Sequence, residues 1–259
     1  MRKTVIALVA LGLVVASSAF AAHAVRISQV YGGGGGGGGA YKYDYVELFN
    51  SSGYNVDIGG WSVQYAAANG NVFGSGTYNV CVFPAGTTIR ACGYLLIRSG
   101  NAGASGADLP LEDAVMGAYM GTTAGNVALF ADAVMGRDCA AAQAVAIDLV
   151  GYGTEPTAGV DFAVIGGDTG ENASADAADF ATFGIAAICS EGAGPVADLS
   201  ATTCAVRNND GMIDTDNNNL DFTVASSWTI HNSASPTNPG CTVVPAMSDT
   251  WGLIKTLYR

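Results

Sequence analysis

Histidine, basic residues and charge of any kind are scarce in this chain, and each shortage closes off a class of function. Lys and Arg total 10 in 259 residues, against 22 Asp and Glu. That balance repels nucleic-acid phosphates, whose capture depends on Lys and Arg, so the chain by itself is not expected to bind nucleic acid. It suits cations, neutral glycans or a basic protein instead. There are 2 histidines, His23 and His231. Hydrolytic triads and metal nucleases draw on histidine as base or ligand, so catalysis finds little footing. No cysteine pair has the C-x-x-C spacing of a zinc site. Long helices are disfavoured, because 36 glycines interrupt almost every window. Charged residues are 12% of the chain, about half the ~25% of ordinary soluble domains.

What is present begins with an export signal. Arg2 and Lys3 precede an apolar stretch from Val5 to Ala16, and Ala22-His23-Ala24 forms an A-x-A site. Residues 1–24 therefore read as a signal peptide, since a bilayer span needs ~20 apolar residues. Cleavage is expected after Ala24, with Ala19-Phe20-Ala21 as a second site. Loss of Arg2 and Lys3 leaves 8 basic residues against 22 acidic ones, a net charge of −14. His231 is then the remaining histidine, in a Ser/Asn/Pro-rich segment where an exposed loop position is expected.

Six cysteines, Cys81, Cys92, Cys139, Cys189, Cys204 and Cys241, follow the leader. An even number in an exported chain reads as a disulfide framework. Pairing in sequence order is the expectation. Cys81 and Cys92 flank the turn Phe83-Pro84-Ala85-Gly86 of an expected hairpin; Cys139 with Cys189 and Cys204 with Cys241 complete the set.

Apolar and polar residues alternate over short stretches. Val25 and Ile27 oppose Arg26 and Ser28, Val46 and Leu48 oppose Glu47, and Trp61, Val63 and Tyr65 oppose Ser62 and Gln64. Tyr94-Leu95-Leu96-Ile97 is apolar on both faces, which predicts a central strand covered on both sides. Val127 and Leu129, then Val145, Ile147 and Leu149, continue the pattern between Gly, Asn, Asp and Pro turns. Short strands with frequent turns predict an all-β antiparallel sandwich.

The order Val25-Arg26-Ile27-Ser28-Gln29-Val30, glycine loop, Tyr45-Val46-Glu47-Leu48-Phe49-Asn50, then Val56-Asp57-Ile58-Gly59-Gly60-Trp61 resembles the opening of the lamin-tail domain. Pro84-Ala85-Gly86-Thr87-Thr88-Ile89 with Gly93-Tyr94-Leu95-Leu96-Ile97 is similar to the family's proline-glycine turn and tyrosine-leucine strand. Ala124 to Leu129, Asp148 to Gly153, Cys189-Ser190-Glu191-Gly192, Asp214 to Asn218 and Asp221-Phe222 are similar to later blocks of secreted bacterial members. The resemblance spans 25–238 and implies an immunoglobulin-like β-sandwich with no chemistry of its own. It departs from the family at Thr154–Ala187, an Ala/Gly/Asp-rich insertion that is either a mobile surface loop or an added binding hairpin.

Several residues could carry a site. Gly32–Gly39 lacks the helix start and Lys-Ser/Thr of a phosphate loop and reads as a flexible connection between strands. Asp214, Asp216, Asn218 and Asp221 form an oxygen-rich stretch that could ligate calcium. The EF-hand pattern fails at Asn219 and Ala225, and Asx turns are the competing reading. Glu47 is expected to hydrogen-bond a neighbouring loop, Asn50 ends its strand, and Trp61 is expected to be sealed between the sheets. Among 22 acids nothing selects a glycosidase-type pair.

Val244-Pro245-Ala246-Met247-Ser248-Asp249-Thr250-Trp251 resembles the start of an IPTL-type bacterial sorting signal. Thr250 adds a residue before the tryptophan. The segment after Trp251 is too short to cross a bilayer, so no stable membrane span is expected in the mature chain. A released descendant of an anchored protein, a truncated end and chance similarity all fit. The organisation expected is leader 1–24, sandwich 25–238 with its insertion at 154–187, and tail 239–259. The function expected is that of an exported, non-catalytic surface or extracellular interaction module for a protein or glycan partner, since no residues remain for a catalytic domain. The alternatives are an accessory of a secreted nuclease or phosphoesterase system, which such domains often accompany, and a calcium-stabilised adhesion or matrix protein.

Overall fold

The computed structural model describes residues 24–69, 72–154 and 188–244. The expected leader up to residue 23, the body of the insertion at 155–187 and the sorting-like segment from residue 245 lie outside the described residues.

The described residues form twelve strands: β1 Val25–Tyr31, β2 Asp44–Asn50, β3 Val56–Asp57, β4 Ser62–Ala67, β5 Val80–Val82, β6 Thr88–Ile89, β7 Tyr94–Ser99, β8 Ala114–Met116, β9 Gly125–Phe130, β10 Asp148–Tyr152, β11 Cys204–Arg207 and β12 Phe222–Ala225. A six-stranded sheet has the order β12-β11-β1-β2-β7-β8, and a four-stranded sheet the order β10-β9-β4-β5. β3 pairs with β6 in a small separate ribbon. All pairs are antiparallel except β7 with β8. Among the described residues two short α-helices, α1 Cys139–Val145 and α2 Asn218–Asp221, decorate the connections. Asp138 caps α1 by accepting from the Ala141 N–H at 2.8 Å, meeting one of the unpaired first-turn donors.

The core follows from the alternation. Ile27, Val30, Val46, Leu48, Leu95 and Ile97 of the larger sheet join Val63, Tyr65, Val127, Leu129, Val150 and Tyr152 of the smaller in one buried cluster. A bulge makes this work in β1. The register with β2 slips between Ile27 and Gln29, so Ser28 is the extra residue and the facing parity reverses. Ile27 and Val30 both reach the core, while Tyr31 joins Tyr45 on the outer face. β7 is covered on both sides: Leu95 and Ile97 enter the core, and Leu96 packs outside with Tyr31, Tyr45, Cys204 and Ile230. The second layer over that face comes from the segment after β12, through Trp228 and Ile230.

Of the three pairs expected in sequence order, Cys139–Cys189 forms and the other two do not. Disulfides join Cys92 to Cys241 and Cys139 to Cys189, while Cys81 and Cys204 are buried free thiols. The expected Cys81–Cys92 bridge fails because the turn at residues 83–86 is no hairpin. β5 belongs to the four-stranded sheet, and Cys92 leads into β7 of the other, so the two cysteines lie on different layers. Cys204 lies in the outer cluster with Tyr31 and Tyr45, and Cys241 goes to Cys92 instead. Trp61 is also corrected: it is half-buried and packs on the margin of the core rather than being sealed within it. It precedes β4, where the chain leaves the Gly59-Gly60 turn with its N–H on the Ile58 carbonyl at 3.0 Å.

Candidate functional site

The outer face of the six-stranded sheet holds a cavity of about 620 Å³ between β2 and the segment after β12. Glu47 forms part of its floor because strand alternation that sends Val46 and Leu48 inward sends Glu47 outward. It is nevertheless 1% exposed. Ser28 Oγ, displaced by the bulge, donates to Glu47 Oε1 at 2.7 Å, and the His231 backbone N–H donates to Oε2 at 2.6 Å. His231 Nδ1 stands 3.3 Å from the same oxygen. Burial pushes the Glu47 pKa up, with His231 pulling against it; the bond to Glu47 in turn raises the His231 pKa. The imidazole stacks on Tyr94, with 4.2 Å between ring centroids. His231 is thus a packed residue and not an exposed loop histidine. Tyr94, Asp210, Trp228 and Asn238 complete the relevant lining.

The rest of the segment is held by hydrogen bonds of the same kind. Trp228 Nε1 donates to the Tyr45 hydroxyl at 2.6 Å, which donates to Gln29 Oε1 at 2.7 Å. Gln29 Nε2 returns to the Thr229 carbonyl at 2.7 Å. A carboxylate beside an imidazole can move a proton. In this arrangement both oxygens of Glu47 already accept hydrogen bonds and one imidazole face lies on Tyr94, so the pair fastens the segment to the sheet. Asn50 does the same at the strand's end. Buried completely, it donates to the carbonyls of Tyr54, Ile89 and Arg90 at 2.8, 3.1 and 3.0 Å and accepts from Ser52.

A second polar group sits at the edge where β1, β10 and β11 meet. Arg207 is buried completely. Its Nε donates to the Ile27 carbonyl at 2.8 Å, Nη2 to both oxygens of Asp148 at 2.8 and 2.7 Å, and Nη1 to Asp214 at 2.9 Å. Burial alone would lower the Arg207 pKa, and the charges of Asp148 and Asp214 more than reverse that. Asp148, Glu191 and Asp214 each place a carboxylate oxygen within 4.8 Å of the others. Burial, then the charge of Asp148, pushes the Glu191 pKa up to about 8.

This trio shares only Asp214 with the calcium set expected from sequence. Asp221 turns inward and accepts from the Thr215 N–H at 2.8 Å, Thr215 Oγ1 at 2.7 Å and the Asn217 N–H at 3.2 Å. Asn218, also buried, accepts from the Gly151 N–H at 2.9 Å and donates to the Leu149 carbonyl at 2.8 Å. These are Asx-type closures of the loop onto itself and onto β10. Asp214 and Asp221 both face Arg207 Nη1, at 2.9 and 3.6 Å, so the oxygens these two bring together already answer a guanidinium, while Asn218 is bonded to β10. Arg207, Asp148 and Glu191 were missed in the sequence. The available signal was an arginine directly after the short apolar run Cys204-Ala205-Val206, where a buried cation requires buried acids.

An immunoglobulin-like sandwich, disulfide-bonded and closed over one outer face by the segment after β12, is the class these features define. The Lamin Tail Domain family matches residues 18–154, just over half of the chain, and the chain belongs to that family. The matched stretch includes β1 to β10, whereas β11, β12 and the segment carrying His231 lie beyond it. No curated protein matches the chain.

Proposed function

We propose that this chain is an exported, non-catalytic interaction module of the lamin-tail family, acting at the cell surface or outside the cell. The observation that carries the reading is that its buried charged groups close on one another. Glu47 holds Ser28 and the 226–241 segment, and Arg207 holds Asp148 and Asp214. These groups brace the sandwich and leave recognition to exposed loops, where a rigid scaffold ordinarily presents it. Two disulfides fit an oxidising compartment. Among the described residues no helix is long and apolar enough to cross a membrane. The acidic balance argues against nucleic acid as the partner.

The test is activity in the purified exported protein. Incubation with plasmid DNA, RNA and a chromogenic phosphodiester, with divalent metal and with EDTA, is expected to give no turnover. EDTA-sensitive cleavage that co-purifies with the protein, and is lost in Glu47→Gln or His231→Ala, would make it an enzyme and end the module reading.

A further inference from the structure

Two tyrosines border a cleft that the groups described so far do not use. Tyr78, on the 3-10 turn Thr77–Asn79, and Tyr119, just beyond β8, are each 61% exposed. Single exposed aromatics need no explanation, but these two line the same cleft of about 340 Å³, together with Tyr65, Ser75 and Asn79.

Each ring lies beside glycine backbone, and Tyr119 is also tied through its hydroxyl. A Cβ added at Gly76 would stand 2.6 Å from Tyr78 Cε1, so that ring lies against bare backbone. A Cβ at Gly35 or Gly100 would stand 3.7 or 3.4 Å from Tyr119 Cδ1, so the ring lies in contact range of the glycine loop. Asn101 Nδ2 donates to the Tyr119 hydroxyl. The backbone beside it is tied as well: Asp44 accepts from the Met120 N–H at 2.9 Å and from the Gly34 N–H at 2.8 Å. Preorganised aromatic area of this kind loses little freedom on binding.

The lining decides the partner's chemistry. Tyrosine, serine and asparagine supply ring faces, hydroxyls and an amide, and none of the side chains bordering the cleft is charged at neutral pH. A polyanion is opposed by the acidic balance of the chain. A lysine or arginine of a protein partner could sit on a ring, yet no carboxylate lines the cleft to complete its binding. A sugar ring offers C–H bonds to an electron-rich aromatic face and hydroxyls to the exposed Ser75, whose Oγ is oriented by the buried Asn79 amide donating to it at 2.9 Å. We infer that this cleft binds a neutral polysaccharide, with Tyr78 and Tyr119 stacking on its sugar rings. The inference rests on the interaction-module reading and names its ligand class.

Affinity electrophoresis of the full exported protein, in gels containing hydroxyethyl cellulose, dextran or galactomannan, tests it. Retardation is expected in at least one gel. Tyr78→Ala and Tyr119→Ala should each weaken it about tenfold, equivalent to ~1.4 kcal/mol. Tyr119→Phe, which keeps the ring, should retain most of it and guards against loss through misfolding, which circular dichroism also monitors. No retardation in any of the three gels, or equal retardation of the double alanine variant, overturns the inference. Binding to poly-L-lysine that the double variant loses, with no polysaccharide retardation, overturns the sugar reading and leaves the module reading intact.

Discussion

The backbone N–H of His231 donates to the buried carboxylate of Glu47 at 2.6 Å, joining a loop outside the matched family stretch to a strand inside it. Replacing Glu47 by Ala leaves that N–H without an acceptor in a buried site and Ser28 Oγ with only the residue-47 backbone carbonyl, 3.2 Å away, at a cost of ~2–3 kcal/mol. The expected consequence is a melting temperature lower by roughly 5–10 °C and new proteolytic cuts between residues 226 and 240. Glu47→Gln keeps a carbonyl acceptor and should lose less than half as much. Equal melting of Glu47→Ala and the native protein, in calorimetry, would remove the fastening role.

The two bridges close loops of very different size, with sequence separations of 149 for Cys92–Cys241 and 50 for Cys139–Cys189. Peptide mapping without reduction should recover these two pairs. Denatured, unreduced protein should titrate two thiols, Cys81 and Cys204, and native protein none. Burial pushes the Cys81 thiol up to about 11 and the Cys204 thiol higher still, and a protonated, enclosed thiol is a poor nucleophile. Loss of Cys92–Cys241 should destabilise by ~3–5 kcal/mol in the chain-entropy view. A recovered Cys81–Cys92 peptide would contradict the pairing.

The sandwich was legible because one buried face imposes period-two alternation. Val46 and Leu48, Val63 and Tyr65, and Val127 and Leu129 reach the core as their spacing predicts, and Leu95–Ile97 is covered on both faces. The Ser28 bulge was not legible, since an extra residue is defined only against its partner strand. The cysteine partners depend on which sheet each neighbouring strand joins, and spacing along the chain does not carry that. Glu47 could be placed on the outer face, but its partner His231 could not, because its position is set by a non-repetitive segment folded back over the sheet. Arg207 was hidden for a related reason: its acids lie on β10 and in two loops, dispersed in sequence.

Arg207 supplies the counter-charge for Asp148 and Asp214, and removing one partner of a buried pair is more costly than the pair itself is stabilising. Arg207→Met should therefore destabilise by ~3–5 kcal/mol, and a second change, Asp148→Asn, should recover part of that loss. With the guanidinium in place, millimolar calcium is expected to leave the native melting temperature unchanged. A rise of several degrees that EDTA reverses would instead revive the calcium-stabilised adhesion reading.

Glu191 gives the fold a pH dependence whose direction can be derived. Its folded pKa is about 8 against a reference of 4.5, so it keeps its proton in the fold over a range where the unfolded chain has lost it. Stability from this group is complete below about 4.5 and declines as pH rises toward 8. Asp44, pushed up to about 6 by burial, and His231, raised by Glu47, act in the same direction over the lower and middle parts of that range. The protein should thus melt at a higher temperature at pH 5 than at pH 8. Glu191→Gln removes the ionisation, and at pH 8 it should be more stable than the native chain by about 1–2 kcal/mol. At pH 5 the advantage should vanish, because the native carboxyl is then protonated and keeps its bonds to the Leu149 N–H and Asn218. Calorimetry of both proteins at the two pH values checks this, and parallel profiles would show that Glu191 ionises freely in the fold.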